Sequence, residues 1–246
     1  MKNCYKRLPL EGAYNLRDLG GYPASGGKMT QYHVFYRSDC LHRLSEADWS
    51  LLQQMGIKTI IDLRSSDEQE MQPYYCEPYG ITRYSIPLKA ESKTTQKIGE
   101  FLKGSDLATN EEFLNSLFTS YPDTIEQNPD RVVLVLRTIS ENVGRGGVLY
   151  HCTAGKDRTG IISSLLLYLA GVADGDIIAD YQVTQTYITR SNNEIFQHVP
   201  EQFLSSAPKA MEHLLTYYRQ ANIKQKLLEN GLKAEEITTI LDAFLH

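Results

Sequence analysis

Two apolar runs flanking a short polar, glycine-bearing stretch constrain this chain more tightly than anything else in it. Val148-Leu149-Tyr150 has the length and composition of a short buried strand. Ile161-Ile162 through Leu165-Leu166-Leu167 opens a buried helix. Between them stands His151-Cys152-Thr153-Ala154-Gly155-Lys156-Asp157-Arg158-Thr159-Gly160. A strand, a glycine turn and a helix N-terminus aim several backbone N–H groups at one point, where the helix dipole also favours negative charge. The segment therefore predicts an anion-binding loop at the carboxyl end of a strand.

The side chains in that loop specify the chemistry. Cys152 lies six positions before Arg158. A thiol at a helix N-terminus is pushed toward its thiolate, and such sites reach pKa values of roughly 3.5–7.5. The five residues between Cys152 and Arg158 let the loop curl around a phosphate with the amides of Thr153, Ala154, Gly155, Lys156, Asp157 and Arg158 inward. Arg158 then reaches the far side of the anion with a planar fork that lysine cannot copy. The pattern predicts a metal-independent phosphomonoester hydrolase that forms a phosphocysteine on Cys152, with no cofactor.

Four neighbours have open roles. Thr159 is expected to steady the thiolate with its hydroxyl, and His151 to orient the loop from beneath. Asp157 either protonates the leaving group or pairs with Arg64 or another cation to stiffen the loop. Lys156 is either a second cation for substrates with more than one negative group or a solvated residue at the rim. A nucleotide-binding Walker loop does not fit, since Asp157 follows Gly155-Lys156 and Tyr150 stands where the first glycine belongs.

Around the loop the chain reads as an α/β fold with a mainly parallel sheet. Ser45 with Asp48 three positions on forms a capping-box pattern, Gly56 closes that helix, and Ile57–Leu63 follows as a buried strand. Arg64, at the carboxyl end of that strand, either steadies the phosphate loop or pairs with Asp67 or Glu68. Asn128-Pro129 starts a helix to about Asn142, and Gly144 with Gly146-Gly147 turns it into the Cys152 strand. Gly171 ends the helix after the loop, and the chain from Asp174 is helical with breaks near Pro200, Pro208 and Gly231. Residues 89–127 are polar, with Phe113, Leu114, Leu117, Phe118 and Tyr121 striped at helical spacing. That stripe is either a lid over the pocket or one more core-facing helix. In Asn15–Tyr22, Arg17 and Asp18 either border the pocket or lock the N-terminal segment onto the sheet.

Composition sets limits on the partners. A chain of 246 residues suits one domain spanning 1–246, and a net charge of −5 argues against nucleic acid. Cysteines at 4, 40, 76 and 152 have no zinc spacing and suit a reducing compartment. Cys40 and Cys76 are core thiols or, under oxidation, protective partners for Cys152. No stretch is long enough to span a bilayer, and the N-terminus lacks a secretion signal. The expected location is cytoplasmic, with a secreted form whose leader was removed as the alternative.

Three stretches carry a family likeness: Asn15-Leu16-Arg17-Asp18-Leu19-Gly20-Gly21-Tyr22, then Tyr36-Arg37-Ser38 leading through Leu41 and Leu44 to Asp62-Leu63-Arg64-Ser65-Ser66, then the Cys152 loop. On these the chain resembles the bacterial protein tyrosine phosphatases of the tyrosine phosphatase B type, within the Cys-x5-Arg superfamily, from about Gly12 to about Leu245. The resemblance implies a phosphatase fold with a helical C-terminal segment, no metal, and activity on phosphotyrosine, extending in some relatives to phosphoserine, phosphothreonine or phosphoinositides. The loop also looks like those of lipid phosphatases, one family with Lys at the place of Lys156 and another with Asp-Arg-Thr, where the aspartate is a proposed acid. The expected partner is thus a phosphorylated protein or a phosphoinositide. This sequence lacks the Trp-Pro-Asp acid loop, since Ser50 follows Trp49. After Ser85-Ile86-Pro87-Leu88, the stretch expected beside the Cys152 strand, come Lys89, Ala90 and Glu91 rather than an aspartate. The acid is therefore assigned to Asp157, with Glu91 or Asp106 as fallbacks. Two rivals remain: a sulfurtransferase, disfavoured by Lys156-Asp157-Arg158-Thr159, and a non-catalytic phospho-ligand binding module.

Overall fold

A computed structural model describes residues 6–88, 120–188 and 205–246 of the chain. Its centre is a five-stranded sheet in the order β1 (Arg17–Asp18), β2 (Phe35–Ser38), β5 (Gly147–His151), β3 (Ile57–Asp62), β4 (Thr82–Ser85). Only β1 runs antiparallel, to β2; the other pairings are parallel.

Local sequence explains the elements. Helix α1 (Glu46–Gln54) starts at Ser45, whose hydroxyl accepts from the Asp48 N–H while the Asp48 carboxylate accepts from the Ser45 N–H, each at 3.2 Å. Gly56, at φ +81°, then turns the chain into β3. The short helix α2 (Ser66–Met71) has the same reciprocal cap from Ser65 and Glu68. Helix α3 (Pro129–Asn142) leads into β5, and α4 (Asp157–Leu169) leaves the loop after it, ending before Gly171 at φ +75°. Four further helices follow: α5 (Asp174–Ile188), α6 (Pro208–Gln220), α7 (Ile223–Glu229) and α8 (Ala234–Phe244). The break between α6 and α7 sits at Asn222, in the left-handed region with φ +45°, which asparagine tolerates better than most residues.

Alternation along the strands sends side chains to two cores. Phe35, Ile61, Val148 and Tyr150 face α3, α4, α5, α6 and α8. Tyr36, Ile60 and Leu149 face Trp49 and Leu52 of α1. Register then places the site. His151 is opposite Ser38 on one side and Asp62 on the other, so three strands end together and the segments following them converge.

One expectation changes. The strand before Pro87 ends at Ser85 and pairs with β3, not with β5. β3 is buried along nearly its whole length and takes the place beside β5, whereas the partly exposed β4 takes the sheet edge. The striped segment is described only from residue 120 on: residues 120–127 are helical, and Tyr121 and Ile125 lie in the core. Phe113, Leu114, Leu117, Phe118, Glu91, Asp106 and Pro200 lie outside the described residues. No described helix is long and apolar enough to cross a membrane.

Candidate active site

The loop from Cys152 to Arg158 connects β5 to α4. The carbonyls of its central residues, Thr153, Ala154 and Gly155, are claimed from outside. Thr153 O accepts from the Cys40 N–H at 3.1 Å. Asn15 Nδ2 donates to both Ala154 O and Gly155 O at 3.0 Å, and Arg37 Nη2 donates to Gly155 O at 2.8 Å. In a trans peptide the carbonyl of one residue points opposite to the N–H of the next. Anchoring these carbonyls outward therefore turns the amides of Ala154, Gly155 and Lys156 inward. Among the described residues, the N–H groups of Thr153, Ala154, Gly155, Asp157 and Arg158 donate to no protein acceptor. Asp157 and Arg158 open a helix, where unpaired amides and the dipole both favour an anion. Gly155 sits at φ +65°, and a Cβ there would lie 2.5 Å from Ser38 O, so only glycine fits.

The anchors behind the loop form a buried charge cluster. Arg37 Nη1 lies 2.6 Å from Asp180 Oδ2 and Arg17 Nε 3.0 Å from Asp180 Oδ1. Arg17 also donates to Asp180 O, to the Thr184 hydroxyl and to Asn15 Oδ1. Asp39 accepts the N–H groups of Tyr14 and Asn15, which fixes the Asn15 amide beneath the loop. Burial alone would raise the Asp180 carboxyl; the charges of Arg17 and Arg37 outweigh it and hold it below its ordinary range. Arg17 and Asp18 thus lock the N-terminal segment down rather than border the pocket.

Cys152 is 2% exposed and follows directly on β5. Arg158 is clamped by Glu68: Nη1 lies 2.6 Å from Oε2 and Nη2 2.7 Å from Oε1. Glu68 also accepts from the Thr153 hydroxyl and from the Ser65 N–H. Burial pushes the Glu68 carboxyl up, but Arg158, with Thr153 and Ser65, pulls it down to about 2. Burial opposes charge on Arg158, yet the Glu68 bonds and the nearby Cys152 sulfur raise it above its ordinary value. The Thr159 hydroxyl is buried and, among the described residues, has no hydrogen-bond partner.

Asp157 is 47% exposed and accepts from the Tyr121 hydroxyl at 2.5 Å, not from Arg64. Lys156 Nζ is 3.6 Å from Asp157 and 3.4 Å from Ser205 O. Arg64 neither touches the loop nor pairs with the Asp67 or Glu68 carboxylates. Its guanidinium bonds Asp62 at 2.8 and 2.9 Å, Cys40 Sγ, and the carbonyls of Glu68 and Gln72. Asp62 is only two residues away and buried, whereas Asp67 is exposed and Glu68 is taken by Arg158. Cys40 and Cys76 are buried free thiols, both pushed up to about 11 by burial.

His151 lies beneath the loop. Its Nδ1 is 3.1 Å from the Cys152 carbonyl, an acceptor, so Nδ1 carries the proton and Nε2 accepts from Tyr74 at 2.7 Å. Among the described residues no three His, Cys, Asp or Glu side chains converge as a metal site would require. Glu68, Tyr121, Asn15, Arg37 and Asp180 were not picked out from sequence as site residues. Only Glu68 had a local signal, since Ser65 three residues before it forms a capping box.

The tyrosine phosphatase family model matches residues 8–246. A tyrosine-protein phosphatase of Nostoc commune is 32% identical over 174 residues, covering 68% of this chain and 53% of that protein. A relative in Cupriavidus necator is 31% identical over 176 residues, covering 71% of this chain and 61% of that protein. The chain therefore spans little more than half the length of these two relatives. The triple specificity protein phosphatase PtpB of Mycobacterium tuberculosis is 29% identical over 210 residues, covering 79% of this chain and 75% of its own. Among solved structures, P. aeruginosa TpbA aligns at 16% identity with a TM-score of 0.36, over 65% of this chain and 81% of that one.

Two outcomes test the supports of the loop. Asp180→Asn leaves two buried guanidinium groups without a compensating charge, and should cost roughly 3–5 kcal/mol of stability in denaturant unfolding. An unchanged midpoint would remove its neutralising role. Burial lowers His151 from 6.5 to about 4, opposed by Asp62, so the unfolded chain takes up this proton first. Its contribution is complete above pH 6.5 and is lost as pH falls toward 4. His151→Asn should flatten stability across that window, which chemical unfolding at several pH values would measure.

Proposed function

Because the chain belongs to the tyrosine phosphatase family, we propose that it hydrolyses phosphomonoesters, phosphotyrosine in proteins foremost, through a phosphocysteine on Cys152. The observation that carries this reading is the loop backbone: the carbonyls of Thr153, Ala154 and Gly155 are anchored outward, and among the described residues the amides of Thr153, Ala154, Gly155, Asp157 and Arg158 donate to no protein acceptor.

In the first step the Cys152 thiolate attacks phosphorus, a P–S bond forms and the P–O ester bond breaks. The inward amides and Arg158 take the charge of the equatorial oxygens, and Asp157 gives its proton to the departing oxygen. In the second step water attacks phosphorus, Asp157 recovers a proton from it, and the P–S bond breaks to return the thiolate and release phosphate. Glu68 fixes the plane of the guanidinium, so Arg158 is oriented before substrate arrives. Thr159, whose buried hydroxyl has no partner among the described residues, stabilises the thiolate as a leaving group. His151 acts from below by holding the Cys152 carbonyl.

A wider substrate range, taking in phosphoserine, phosphothreonine and phosphoinositides, is a second reading. It is favoured by Lys156, which puts an ammonium 3.6 Å from Asp157 within the loop itself. A second cation suits headgroups with more than one phosphate.

Cys152→Ser should abolish turnover of p-nitrophenyl phosphate while retaining affinity for inorganic phosphate, measured by calorimetry. Full turnover in that variant would end the proposal. Asp157→Asn should slow hydrolysis of an alkyl ester, such as a phosphoserine peptide, far more than of p-nitrophenyl phosphate, because poor leaving groups need the proton. Equal losses would remove the acid role.

A further inference from the structure

The contacts of Asp157 are one-sided. Tyr121 Oη is 2.5 Å from Oδ1, and Lys156 Nζ is 3.6 Å from the same oxygen. Among the described residues Oδ2 has no hydrogen-bond partner. Behind Tyr121 stands a second phenol, with Tyr181 Oη 2.6 Å from Tyr121 Oη and the rings edge to face. The three residues come from three elements: the helical stretch 120–127, the start of α4, and α5. Gly160 makes room for the arrangement, since a Cβ there would lie 3.3 Å from the Tyr181 ring.

Both phenols are almost wholly buried, and burial together with the Asp157 charge raises them above their ordinary values, so each keeps its proton. An ionised Asp157 offers only acceptors. Tyr121 must then donate to it, which obliges Tyr181 to donate to Tyr121. The chain has one direction, Tyr181 to Tyr121 to Asp157.

From this geometry we infer that Tyr121 is a positioning residue for the acid: it ties Oδ1 to the protein and so reserves Oδ2 for the proton passed to the leaving group and recovered from water. Tyr181 supports it by filling the acceptor site of the Tyr121 hydroxyl. The inference rests on the acid role of Asp157 stated above. No proton leaves either phenol in the cycle; Asp157 alone exchanges one. A carboxyl on a freely rotating, half-exposed side chain would present the proton in the right direction only part of the time, and the phenol removes that rotation. The same contact explains why Tyr121, although part of the core, turns its polar end toward the loop.

The test is a double-mutant cycle with Tyr121→Phe and Asp157→Asn on the full chain. A phosphoserine peptide serves as alkyl substrate and p-nitrophenyl phosphate as aryl substrate. Tyr121→Phe should lower kcat on the peptide about tenfold and on the aryl ester by a clearly smaller factor, with vanadate inhibition unaltered. In the Asp157→Asn background it should lower neither further. Tyr181→Phe should show the same selectivity at smaller amplitude, which guards against a folding defect in one variant, and thermal melts report such a defect directly. Equal losses on both substrates from Asp157→Asn would end the acid role and this inference with it. If Asp157→Asn is selective but Tyr121→Phe is not, or its loss persists beside Asp157→Asn, the acid role stands and the positioning role of Tyr121 is overturned.

Discussion

One hydrogen bond behind the pocket, from Arg37 to the carbonyl of Gly155 at 2.8 Å, governs how the loop presents itself. Peptide planarity makes each carbonyl the handle of the next amide. With Asn15 on the same carbonyl and on that of Ala154, the backbone turns its donors toward one point. Arg37 can be buried there only because Asp180 lies 2.6 Å away and because Arg17 shares that carboxylate. A buried cluster thereby sets how the loop presents its amides.

In front of the loop the fold divides the work between two sides. Toward α2, Glu68 clamps both terminal nitrogens of Arg158, and the same carboxylate caps its own short helix through the Ser65 N–H. The cap of α2 and the orientation of the arginine thus share one carboxylate. Toward α5, the two phenols steer Asp157. Cys152 stands between these supports, directly after the strand that lies centrally in the sheet. That position is where a parallel sheet converges the segments that follow its strands.

Much of this was legible along the chain, and the reasons are local. A strand, a glycine turn and a buried helix around Cys152 announce themselves through hydrophobic periodicity, and the observed β5 and α4 match the expected spans closely. The Ser45–Asp48 cap, the start at Pro129 and the stops at Gly56 and Gly171 are local chemistry too. Arg64 shows where such reasoning fails. Its position at a strand end suggested the loop or the α2 carboxylates, yet it turned back on Asp62, and Glu68 went to Arg158 instead. The strand before Pro87 was misplaced because neighbours in a sheet are chosen by competition for the buried centre.

From sequence alone came the placing of Cys152 and Arg158 in one loop, since a cysteine and an arginine at fixed spacing before a helix need only short-range geometry to meet. Tertiary structure decided what holds them. Asp180 is 143 positions from Arg37, Tyr121 is 36 from Asp157, and Glu68 is 90 from Arg158. No periodicity encodes those pairings. A charge or phenol finds its partner only once burial has removed water as the alternative, and that removal belongs to the assembled core.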